Sequence, residues 1–398
     1  MKHKQAIPPI LLFLISPFVA FIKACGNLRN KANALVFISF YALFGFCHQF
    51  TDVRSDSYRK YRLFSRYEYM DLSDIWANFI DGKIMDIYES LLFMLIHPFS
   101  ANPHVMMMIV GLLGSIFILL SIKRILSEMD NKDKPMYYLM TFLLVLLFTP
   151  QGMGGIRGFT AIGVFAYSSI RFLVDKKKLW FIGILICPLI HFSYTVSIPV
   201  VLIARYIRVP KNFLFSIVVV SILASPFIST SISSKIIADA NISEYNQSID
   251  KRVQSYADED TQAEFHESLT FHLLKIQTHI RNIFLVVFLF FVRKHFKYDI
   301  EHNNRIRRTY MIMLYFLLFV SLASSFSVVG GRFLSQGLLF LYLFWAMLLY
   351  AAKDKKATQY LTIYTYASII TIAWNIYNAY CTTGLYPLFL PLPIAVAL

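Results

Sequence analysis

The chain has 398 residues, 57% of them apolar and 15% charged, whereas soluble domains run at roughly 45–50% apolar and 25% charged, so a soluble fold is excluded. Its net charge of +15 raises nucleic acid as a partner, but the Lys and Arg residues gather in short clusters between apolar stretches. Cytoplasmic loops need them there to set orientation, and nucleic acid is not expected. Cys25, Cys47, Cys187 and Cys381 lie in or beside apolar segments without paired or metal-ligand spacing, so neither a disulfide nor a metal site is expected.

Residues 7–22 are apolar, flanked by basic residues, and carry Pro8, Pro9 and Pro17. Without a small-residue cleavage site the stretch reads as interfacial or re-entrant rather than a signal peptide. With Arg29 and Lys31 taken as cytoplasmic, residues 34–50 cross outward, and 105–122 return to Lys123 and Arg124. Residues 135–149 then cross outward and 157–174 come back to Arg171 and Lys176 to Lys178. Residues 179–207 are too long for one comfortable span and have positive clusters at both ends, with Pro188, His191 and Ser193 at the centre. That pattern predicts two half-helices meeting at a polar break, which membranes tolerate where backbone lines a cavity.

Further spans are predicted at 213–230, 280–292, 309–328, 333–352 and 360–377. The expected fold class is an all-α polytopic membrane protein with about nine to eleven transmembrane helices, since each apolar run is long enough to cross the hydrocarbon. It would form a single membrane domain over residues 1–398 with one broken or re-entrant segment. Two periplasmic loop regions are expected, 51–103 and 231–279. The second is acidic, and the first carries Arg54, Arg59, Lys60, Arg62 and Arg66, which long translocated loops tolerate.

One local pattern occurs twice: Gly154-Gly155-Ile156-Arg157 and Gly330-Gly331-Arg332, each at the predicted outer start of an inward-going helix. Glycines let the backbone close on a ligand, a helix N-terminus favours anions, and arginine grips phosphate oxygens bidentately. Two such ends on one face would form an anion clamp, although glycines also make turns and arginines also anchor at interfaces. His191 lies in an apolar run, and an ionisable side chain at membrane depth is a candidate general base or positioning group. In the first loop, Asp56, Tyr58, Arg59 and Arg62, with Glu89 further on, mix carboxylates, aromatics and cations. Such a mixture suits sugar hydroxyls and phosphates, and equally an amphipathic helix lying on anionic lipid.

The order of these features resembles the Wzy-type O-antigen and exopolysaccharide polymerases, in their EpsG-like branch. The resemblance covers most of the chain and rests on Asp56 and Tyr58, on Ile87-Tyr88-Glu89, on the run from Arg157 through His191-Phe192-Ser193, and on Gly331-Arg332-Phe333. Gly158 stands where the family usually has glutamine. The resemblance implies a metal-independent polymerase, without a cofactor, that joins oligosaccharide repeat units carried on undecaprenyl pyrophosphate at the periplasmic face of a bacterial inner membrane. By the same inference Arg157 and Arg332 hold the donor pyrophosphate, and His191, Asp56 or Glu89 takes the acceptor proton. Implied partners are the lipid-linked oligosaccharide, membrane lipid and a chain-length regulator. A different glycosyltransferase or ligase using a lipid-linked sugar, and a polysaccharide or lipid flippase, stay open as alternatives.

Overall fold

Apolar stretches in lipid become helices because every backbone N–H and C=O must then be satisfied within its own segment. A computed structural model of the chain describes residues 8–50, 56–67, 69–129, 134–225, 269–324, 327–367 and 390–393, and among these no strand occurs. The helices are α1 (Pro9–Ile15), α2 (Pro17–Cys25), α3 (Lys31–Phe46), α4 (Asp56–Ser65), α5 (Leu72–Ile80), α6 (Tyr88–Ile96), α7 (Pro103–Leu126), α8 (Lys134–Leu147) and α9 (Ile156–Ser169). They continue as α10 (Phe181–Ile190), α11 (Ser197–Tyr206), α12 (Lys211–Ala224), α13 (Leu269–His295), α14 (Lys297–His302), α15 (Asn304–Ala323), α16 (Ser327–Ala351) and α17 (Lys355–Ala367). Among the described residues four stretches are long and apolar enough to cross a membrane by themselves, Pro103–Leu126, Pro135–Gly154, Asn304–Ala323 and Phe333–Ala351, and four shorter apolar helices accompany them. The protein is therefore an all-α polytopic membrane protein.

Several boundaries differ from expectation. Of the stretch 7–22, the described residues from 8 onward fold as α1 and the start of α2, broken at Ser16, whose backbone is extended ahead of Pro17. Ile10, Leu11, Leu14 and Ile15 remain exposed, as suits a segment facing lipid. Within the expected loop at 231–279, the described part is helical from Leu269 onward. Leu269, Leu273, Ile276 and Ile280 recur there at helical spacing, and that periodicity outweighs the local polarity. The first loop region folds into α4, α5 and α6, and α5 starts at a capping box between Asp71 and Asp74. Leu72, Trp76 and Ile80 on α5 are all exposed, giving an apolar face suited to a membrane interface.

The break in 179–207 is located at His191. Pro188 removes one helical donor from the last turn of α10, and His191 is extended (φ −151°) before a 3₁₀ turn leads into α11. The two half-helices form a return path: the Phe181 ring at the start of α10 lies 5.2 Å from Phe172. The Arg205 guanidinium near the end of α11 lies 5.1 Å from that same ring. Both ends of the pair thus meet the π-helical turn Ile170–Val174 that follows α9, and the His191 turn reaches back toward the α9 N-terminus. A methyl group on Gly183 would meet Ser168 Oγ at 2.2 Å, so α10 lies directly on α9. Likewise, a methyl on Gly111 would sit 2.3 Å from the Tyr41 carbonyl oxygen, and one on Gly45 2.2 Å from that of Met107. Small residues let α3 and α7 close to backbone contact, the usual device for packing helices in lipid. Phe159 fills the space beside Gly114 and stacks near Tyr41, which seats the first turns of α9 against α3 and α7.

Candidate functional site

The segment 150–154 forms a 3₁₀ turn, and the Gly155 amide donates to Gly152 O, so α9 begins abruptly with Arg157 in its first turn. Asp86 and Glu89 approach from the start of α6, which is tied to the broken segment by the Ile87 amide donating to Leu189 O at 3.1 Å. Arg157 Nη1 lies 2.9 and 3.2 Å from the two Asp86 oxygens, and its Nε lies 3.4 Å from Glu89 Oε2. Lys60 of α4 closes the set with Nζ 2.5 Å from Glu89 Oε1. Two cations and two carboxylates therefore form one buried network, with the Asp86 side chain only 2% exposed. Tyr88 and Thr160 hydroxyls, 2.9 Å apart, pin α6 to α9 beside it.

The network has unequal members. Burial pushes the Asp86 carboxyl above the ordinary aspartate range, opposed by Arg157 and assisted by Glu89. For Lys60, burial draws the ammonium below its usual value, with Glu89 opposing and Arg157 adding to the fall. The charged forms are thus held by each other rather than by water.

Beside this network lies a cavity of about 540 Å³. Arg59, Lys60 and Arg157 bring cations to its wall, Gly154 and Gly155 line the α9 entrance, and His191 and Ser193 come from the break. Ser335 reaches it from α16, one helical turn after Arg332. His191 packs over Gly158, whose missing side chain would otherwise sit 3.5 Å from the imidazole Cδ2. At the other end of the α4 contact, the Ser57 Cβ would lie 3.7 Å from a methyl on Gly154. Cations, the positive end of a helix and an imidazole on one wall suit a phosphorylated ligand and a proton transfer.

The expected site residues fare differently. Arg157, His191, Gly154, Gly155 and Arg59 converge on the cavity, and Glu89 sits behind Arg157 and Lys60. Tyr58 is half-exposed with its ring 5.9 Å from Tyr61, and Arg62 is exposed; neither lines the cavity. The Asp56 side chain lies outside the described residues, as does that of Arg332. Gly330 and Gly331 were expected at an open helix end, but α16 already begins at Ser327. They are the fourth and fifth residues of α16, inside the helix rather than ahead of it. Arg157, expected as one half of an anion clamp, is itself held in place by two carboxylates. Asp86 and Lys60 were missed. The adjacency of Asp86 to Ile87-Tyr88-Glu89 was the available signal, and the unexplained cations of the first loop were the signal for Lys60.

The model of the EpsG family matches residues 33–390, nearly the whole chain. No curated protein and no solved structure matches it.

Proposed function

Because the chain belongs to the EpsG family, a group of Wzy-type polymerase-like proteins associated with polysaccharide synthesis, we propose that it joins oligosaccharide repeat units carried on undecaprenyl pyrophosphate. The reaction would take place at the periplasmic face of a bacterial inner membrane. The observation that carries this reading is the convergence of Arg59, Lys60, Arg157 and His191 on one cavity at the N-terminal end of α9.

In the proposed reaction the bond between the terminal sugar and its pyrophosphate breaks, and the freed anomeric carbon bonds to a hydroxyl of the incoming unit. Negative charge grows on the departing lipid pyrophosphate. Arg157 and Arg59, with the positive end of α9, stabilise it, and cations fixed in advance need no reorganisation as the charge develops. Asp86 and Glu89 hold the Arg157 guanidinium in one orientation, so their role is positioning. His191, at the cavity wall, takes the proton from the attacking hydroxyl. Arg332 belongs to the same proposal as a second pyrophosphate ligand, since its helix delivers Ser335 to this cavity.

The direct test is polymer length. Cells carrying Arg157→Ala should make single repeat units and no ladder of long chains, with the protein still in the membrane. His191→Asn should lower polymer about a hundredfold, as general-base loss usually does. An undiminished ladder in Arg157→Ala would sink the reading.

A further inference from the structure

About 20 Å along α9 from Arg157, at the far end of the helix, a second cavity of about 740 Å³ opens between the turn after α9, the α11–α12 junction and the start of α15. Six cations line it: Lys176, Arg205, Arg208, Lys211, Arg307 and Arg308. Among the described residues no carboxylate lines it. Among the described residues, the one carboxylate that ion-pairs with any of the six is Glu301, 2.6 Å from Lys211.

Membrane orientation calls for positive residues near span ends, but it does not call for six of them around one hollow. Like charges gathered in a concavity repel, and the repulsion is relieved when an anion enters. The wall is also built rather than incidental. Arg308 donates to Val174 O at 3.3 Å, and the Tyr315 hydroxyl donates to Ile207 O at 2.9 Å. The Phe172 ring, 5.1 Å from the Arg205 guanidinium, braces the side chain. Lys176 is left-handed (φ 61°) at the exit from α9, a position that glycine or asparagine takes more easily. A lysine there keeps its charge on the cavity at a conformational cost.

The neighbouring surface is apolar. Tyr206, Ile207 and Phe213 are 67%, 52% and 60% exposed, and Ile207 itself lines the cavity. A ligand with a phosphate head and a hydrocarbon tail satisfies both surfaces. We infer that this cavity binds the phosphate-bearing headgroup of an anionic membrane lipid, whose chains run along Tyr206, Ile207 and Phe213. Basic pockets between spans are suited to this role because lipid phosphates are held there by several charge-assisted hydrogen bonds at once. The site is separate from the cavity at Arg157 and does not rest on the polymerase reading.

The test uses the full chain, purified in detergent and offered phosphatidylglycerol or phosphatidylcholine, with retained lipid read by native mass spectrometry. The wild type should retain phosphatidylglycerol about tenfold over phosphatidylcholine, the scale expected of a few cations near a headgroup. The double variant Lys176→Asn/Arg208→Gln should fall close to parity. Both side chains are exposed, and asparagine suits the left-handed backbone, so its thermal unfolding midpoint should hold or rise. Arg205→Gln gives an independent second variant with the same expected loss. Equal retention of the two lipids by the wild type, or undiminished preference in both variants, overturns the inference. Variant-sensitive binding of inorganic pyrophosphate without lipid preference also overturns it, in favour of a soluble phosphate ligand.

Discussion

Two charge networks stand at opposite ends of α9, built from similar parts and balanced differently. At the far end, Arg124 of α7 meets Asp175 through Nε at 2.9 Å and Nη2 at 2.5 Å, and meets Glu128 at 2.5 Å. Arg171 adds a contact to Asp175 at 2.8 Å, and Arg305 adds one to Glu128 at 2.5 Å. Three arginines there serve two carboxylates. At the candidate site, among the described residues, one arginine and one lysine serve Asp86 and Glu89, with the Phe192 amide also on Asp86, and the cations also face a cavity.

The difference appears in the two aspartates. For Asp175 burial alone would raise the carboxyl, but hydrogen bonds from Arg124, with the charge of Arg171, bring it below the ordinary range. For Asp86 burial prevails and the carboxyl ends above that range. A fully served carboxylate ties helices together. An under-served one beside a cavity leaves cations with capacity for a ligand, and perturbed groups in clefts mark functional sites for that reason.

The largest effect expected from this contrast is on activity. Arg157→Ala should cut long polysaccharide at least about a hundredfold, the usual cost of losing one preorganised donor at a developing anion. Its unfolding midpoint in detergent should fall less than that of Arg124→Ala, because Asp86 protonates more readily than Asp175 once its arginine is gone. Arg157→Lys should rescue poorly, since an ammonium lacks the planar fork. Arg124→Ala reverses the pattern: Asp175 keeps only Arg171 and Glu128 only Arg305, and losing the shared arginine's charged hydrogen bonds costs about 1.5–3 kcal/mol of stability, with activity per folded molecule preserved. Equal destabilisation by the two alanines would erase the distinction between the networks.

Acid should sharpen it. Asp86 has a raised value, so its pairing with Arg157 loosens as pH falls toward that range, and polymer formation should fall with it. Asp175 has a depressed value, so its contribution to stability is complete above the ordinary carboxylate range and is lost only as pH falls through the lower one. Polymer yield should therefore decline at a higher pH than the unfolding midpoint does, and Asp86→Asn should change the activity limb, leaving the part set by His191, without moving the acid limb of the unfolding midpoint. The smallest effect is reserved for Gly158→Ala, whose methyl would rest 3.5 Å from His191 Cδ2 in ordinary contact. A stability change within about 0.5 kcal/mol is expected there. Gly111→Ala, whose methyl would meet backbone at 2.3 Å, should by contrast give little folded protein on extraction.

Much of the architecture was legible along the chain because membrane insertion reads local properties. Apolar run length located the helices long enough to cross a membrane, and the proline and histidine inside 179–207 located the break that the structure shows at His191. The family was legible too, through the order of short motifs. The partners of the charges were not. Arg157 and Asp86 are 71 residues apart, and Lys60 and Glu89 are 29 apart, so their pairing exists only once α4, α6 and α9 are packed together. The register of Gly330 and Gly331 was equally hidden, because α16 starts three residues earlier than glycine punctuation suggests. Hydropathy is summed over neighbours in sequence and was readable there; ion pairing and burial are decided by neighbours in space, and only the packed helices supply those.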